Sequence, residues 1–122
     1  MGNGYTNKQT NILQKDLDKM LIHIPIEVSA DATGGVSETV FANMRIVDVV
    51  VNCTTANAGG TLTVSDGTND ITDAIACAVL DVVDRAGTID STYATVSAGS
   101  SLTVTANGAL DRGVVTVVGV RV

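Results

Sequence analysis

The 122-residue chain is long enough for one domain that buries about two-thirds of its unfolded surface, and it is rich in valine (nineteen), threonine (sixteen) and glycine (twelve), with only three aromatics and one proline. Its net charge of −6 is uneven: three lysines against two aspartates leave residues 1–20 at +1, while four arginines against eleven carboxylates leave the remainder at −7. An acidic body repels phosphate backbones, and the sequence has neither an apolar run of about 18 residues nor a basic-then-apolar start, so nucleic acid and membrane are not expected partners and synthesis is expected in the cytoplasm.

Residues 1–11 are polar and rich in Gly and Asn, an arm expected to be mobile unless a partner holds it. Ile12, Leu13, Leu17, Met20 and Leu21 follow at near-helical spacing. A helix this short is marginal alone and needs a surface to lie on, either its own domain or a neighbouring subunit. We therefore divide the chain into an N-terminal arm, 1–19, flexible or partner-bound with a short helix as one form, and a body, 20–122.

From Met20 the period changes to two, with Ile22, Ile24, Ile26 and Val28 on one face of a strand and His23, Pro25 and Glu27 on the other. Proline has no N–H to donate, which places this strand at a sheet edge. The run 29–35 reads as a turn and 36–42 as a weaker strand. Residues 44–52 form a strong strand candidate with Val47, Val49 and Val51 on one face and Ile46, Asp48 and Val50 on the other. Residues 54–60 form the next turn, and 61–65 a strand ending at Asp66-Gly67, a pair favoured in hairpins.

Residues 70–83 fit two periods. Ile71, Ile75, Val79 and Val82 suit a helix, whereas Ile75, Cys77 and Val79 alternate as in a strand; the preceding hairpin signal favours a strand from about Ala74. Residues 84–92 supply a turn and a short strand. A turn at Gly99, a strand over 102–105 and a turn at Asn107-Gly108 come next. Residues 113–122 are apolar on both faces, the mark of a central strand covered by the domain or by another subunit. TLTVSDG (61–67) and SLTVTANG (101–108) echo each other, consistent with two hairpins in comparable positions. About seven or eight short strands between regular turns predict an all-β, single-domain jelly roll or β-sandwich, with the jelly roll preferred because no Cys-Trp-Cys spacing is present.

Residues with chemistry are few. His23 is the only histidine and is expected on an exposed strand face. Cys53 and Cys77 read as buried small hydrophobes in a reducing compartment, with a disulfide between them left open. No nucleophile elbow or phosphate-binding glycine spacing occurs, so no catalytic set is assigned and no cofactor is expected. Asp66, Asn69, Asp70 and Asp73 are weak candidates for a Ca²⁺ site, but the spacing is not that of an EF-hand and these residues are ordinary in turns. Tyr93 is the one plausible aromatic platform for a sugar in the body.

The polar arm, the Val/Thr/Ala/Gly-rich body, the segments LTVSDGTNDITDAI and VSAGSSLTVT and the β-rich C-terminus together resemble capsid decoration (cement) proteins of tailed bacteriophages. The resemblance spans most of 20–122 and carries no diagnostic motif. It implies a non-enzymatic virion structural protein on the outer capsid surface, homotrimeric, that stabilises the shell by bridging major capsid protein subunits. Ile12, Leu13, Leu17, Met20 and Leu21 are the expected contact. The alternative expectation is a host- or glycan-binding surface or fibre module of a virion.

Overall fold

A computed structural model describes residues 21–122. These form nine strands: β1 (Leu21–Val28), β2 (Val36–Thr39), β3 (Met44–Cys53), β4 (Thr61–Ser65), β5 (Ile75–Ala76), β6 (Val83–Arg85), β7 (Thr95–Val96), β8 (Ser101–Ala106) and β9 (Gly113–Arg121). One sheet runs β1-β9-β3-β6, with β7 also on β3, and the other runs β2-β8-β4-β5. The ladders are antiparallel. With the two-residue β7 set aside, the first strand pairs with the last, the second with the seventh, the third with the sixth and the fourth with the fifth. A long hairpin rolled over on itself gives this order, and the two sheets pack as a jelly-roll β-sandwich.

The core is aliphatic. Ile22, Ile24, Ile26 and Val28 of β1 point inward beside Val49, Val51, Val115 and Val117, and they meet Leu62, Val64, Leu102 and Val104 of the facing sheet. Each fully buried side chain contributes about 1.5–3 kcal/mol relative to exposure, so stability is spread over many medium-sized groups. Phe41 is exposed and Tyr93 packs only partly against this core.

Several expectations hold. β1 is an edge strand with the expected inward face, and β9 is central, between β1 and β3. The inner face of β9 is buried, while Val114, Thr116 and Val120 on its outer face are only half-buried. Positive-φ glycines stand at the expected turns, notably Gly35 and Gly99. At Gly35 a side chain would also collide with Thr103 Cγ2, 2.8 Å from the Cβ position.

Other expectations need correction. The weaker strand over 36–42 stops at Thr39. In β3 the strict alternation fails, because Ile46 pairs with Gly119 and Asp48 with Val118, leaving Val47 as the extra residue of a bulge. The bulge resets the phase, so Met44 and Ile46 face the core together with Val49 and Val51 while Val47 is exposed. The two echoing segments are neighbours in one sheet: β4 and β8 pair antiparallel, with Val64 opposite Val104. The turn at Asn107-Gly108 is no hairpin either, since β8 and β9 lie in different sheets and the chain crosses between them.

Candidate interaction surface

Residues 70–83 settle the ambiguity of their sequence. β5 pairs Ile75 with Leu62, and Ile75 and Cys77 alternate into the core as a strand requires. The chain then leaves the sandwich. Asp81 adopts φ 64°, a left-handed conformation that Asp tolerates better than most residues, and Val82 N–H donates to Val79 O at 3.3 Å. Cys53 of β3 grips this loop twice, its N–H donating to Val82 O at 3.1 Å and its carbonyl accepting from Asp81 N–H at 2.9 Å. Asn57 N–H adds a bond to Ala78 O at 3.0 Å.

The backbone of the loop is thus held while its side chains are not covered. Val79, Leu80 and Val82 on the loop and Val83 at the start of β6 are each 40–59% exposed. Leu110, 64% exposed, lies on the loop before β9, which joins the same end of the sandwich through the bond from Thr55 Oγ1 to Leu110 O at 2.9 Å. Scattered apolar residues on a surface are ordinary, but several on and beside one anchored loop make it the candidate contact surface.

Beneath the loop, Asp111 is wholly buried. Its carboxylate accepts from Asn57 Nδ2, from Gly108 N–H at 3.1 Å and from Thr61 N–H at 3.3 Å, and so ties its own turn to the 57–61 segment at this end. Gly60 must lack a side chain here, because a Cβ would strike Asp111 and the Cys77 carbonyl. Cys53 and Cys77 are both free, buried and in contact, with Sγ atoms 2.7 Å apart. Burial, the neighbouring Cys53 thiol and the charge of Asp111 push the Cys77 thiol up to about 12.

The four weak metal candidates do not converge. The Asp66 carboxylate accepts from the N–H groups of Asn69 at 2.7 Å and Thr68 at 2.9 Å, bonds that hold it below the usual carboxylate range. Asp66 and Asn69 close a four-residue turn, flanked by the antiparallel bridge between Ser65 and Asp70. Asp73 instead accepts from Gly87 N–H at 3.0 Å and Thr88 N–H at 3.4 Å. Among the described residues no three His, Cys, Asp or Glu side chains are grouped to hold a metal ion. His23 is exposed on β1, paired with Val118 of β9.

Tyr93 borders a shallow groove of about 550 Å³ together with Asp66, Thr68, Asn69, Thr95 and Ser100. One aromatic face beside several hydroxyl and amide groups is the kind of surface that sugars contact.

Of the expected partner contacts, Ile12, Leu13, Leu17 and Met20 lie outside the described residues, as does the arm 1–19. Leu21 is exposed at the start of β1. The sequence reading missed the loop surface because it carried the alternation of Ile75 and Cys77 on to Val79 and left Val82 to the helical alternative. The nearest signal was Asp81, a residue type that tolerates a left-handed turn, set among apolar residues 79, 80, 82 and 83. Asp111 was missed because a carboxylate after a turn signal is ordinarily solvated. Compared with protein-family models, curated proteins and solved structures, the chain matches none.

Proposed function

We propose that this protein is a non-enzymatic structural component of a virion, docking on the outer capsid surface and bridging major capsid protein subunits as a homotrimer. The observation that carries the reading is the anchored loop with Val79, Leu80 and Val82 turned to solvent beside the exposed Val83 of β6. A rigid apolar surface loses little entropy on docking, and many copies on one shell multiply a modest contact. Jelly rolls recur in viral capsid proteins, a fold-level analogy that supports the reading without carrying it. The N-terminal segment, with Ile12, Leu13, Leu17, Met20 and Leu21, is a second contact in this proposal.

The test is co-sedimentation with shells of the parent particle. Leu80→Lys with Val83→Lys, and separately deletion of residues 1–19, should each reduce the bound fraction at least tenfold while circular dichroism stays unchanged. Undiminished binding by both variants would refute the proposal. Light scattering on the free protein tests the trimer.

The Tyr93 groove favours one second reading, a glycan- or host-binding virion module. Binding of the isolated protein to a glycan array, lost in Tyr93→Ala, would replace the first reading with this one.

A further inference from the structure

We propose that Cys53 and Cys77 are a disulfide site, which on oxidation closes an intramolecular bond between the two sheets at the base of the apolar loop. Four observations lead there. The two residues are the only cysteines of the chain. They come from different sheets, Cys53 ending β3 and Cys77 following β5. Both are buried, and their sulfurs stand 2.7 Å apart with no space for another atom between them. Shortening that separation to a disulfide bond of about 2.05 Å takes well under an ångström.

The backbones on both sides are already fixed. Cys53 is held by Val82 and Asp81, and Cys77 N–H donates to Gly60 O at 2.8 Å. Each thiol also has a carbonyl to donate to: Thr55 O at 2.8 Å from Cys53 Sγ and Arg112 O at 3.1 Å from Cys77 Sγ. Each reduced thiol therefore has a hydrogen-bond acceptor in the closed fold. No other thiol in the chain competes, so an intramolecular bond has no alternative pairing within the molecule.

The oxidant is a low-molecular-weight disulfide. One cysteine thiolate attacks it, forming a mixed disulfide and releasing one thiol of the reagent. The second cysteine, losing its proton to solvent, attacks the protein-bound sulfur and releases the other thiol. Two protein thiols are oxidised and one reagent disulfide is reduced to two thiols, so electrons and protons balance. The closed fold disfavours the first step, because the sulfurs are buried and the Cys77 thiol, at about 12, is almost wholly protonated at neutral pH. Oxidation is accordingly slow in the native protein and fast in a chain that is still folding or has opened near the loop.

The experiment uses the full chain, reduced, and refolds it from urea with oxidised and reduced glutathione. A parallel native sample receives the same couple without urea. Thiol titration under denaturing conditions should fall from two free thiols per chain to none after refolding, with the intact mass lower by two hydrogens and the product monomeric on a non-reducing gel. The native sample should react at least tenfold more slowly. Two persistent free thiols, glutathione adducts as the main product or disulfide-linked dimers would each overturn the proposal. The readout involves no capsid, so it stands or falls separately from the proposed function.

Discussion

Removing the Asp111 carboxylate should be among the most damaging single changes outside the aliphatic core. Asp111→Ala strips an acceptor from three donors: Asn57 Nδ2, Gly108 N–H and Thr61 N–H. Thr61 N–H keeps a partner, because Asn107 Oδ1 also accepts from it at 2.9 Å. Two donors, both on half-buried residues, are left without one; a fully desolvated unsatisfied donor costs about 1–3 kcal/mol, so about 2–6 kcal/mol is the upper bound. Against a total stability of about 5–15 kcal/mol for a domain, a loss of that kind is a sizeable share. Asp111→Asn keeps the volume and one acceptor oxygen but turns an amide group toward a donor, so about 1–3 kcal/mol is expected. Because Asn57 acts here through Asp111, Asn57→Ala should cost less in the Asp111→Ala background than alone, by about 1 kcal/mol. Urea unfolding followed by circular dichroism measures the wild type and these four variants. An Asp111→Ala loss below about 0.5 kcal/mol, the range of an ordinary surface change, would refute the view of this carboxylate as a hub.

Gly119→Ala would push a methyl group into Met44 and to 3.0 Å from the Arg45 carbonyl beside the β3 bulge, and should cost about 1–3 kcal/mol by overpacking in the same assay. Asp31 and Asp66 are both held below the ordinary carboxylate value by hydrogen bonds from their turns, Asp31 from Thr33 and Asp66 from Asn69 and Thr68. Their stabilisation is present above an unfolded pKa of about 3.9 and is lost as pH falls through the lower folded values. Asp66→Asn should therefore flatten the acid side of a plot of unfolding midpoint against pH. Oxidation of Cys53 and Cys77 closes a loop of about 25 residues and should raise stability by about 3 kcal/mol, read as a higher urea midpoint that reverts on reduction. Leu80→Ser, on the exposed loop, should stay within about 0.5 kcal/mol of wild type, since a side chain that contributes to the fold would not tolerate the change.

Much of the fold was legible because short-range alternation and turn chemistry act over a few residues. Ile22, Ile24, Ile26 and Val28 have an inward face wherever β1 is placed, and Gly35 and Gly99 mark reversals because few other residues accept their φ values. The candidate surface was less legible. Its loop follows a buried pair, Ile75 and Cys77, with which Val79 shares the same parity, and only the hydrogen bonds from Cys53 pull the chain out of phase.

The sequence alone determined the all-β class, the inward face of β1, the central place of β9 and the position of most turns, since these depend on residue type and spacing. Tertiary structure decided the rest. It set the wrapped pairing of first strand with last, the bulge at Val47 that turns Met44 and Ile46 inward, the burial of Asp111 and the meeting of Cys53 with Cys77. Each of these depends on residues far apart in the chain, and local propensity carries no information about which distant segment will supply a partner.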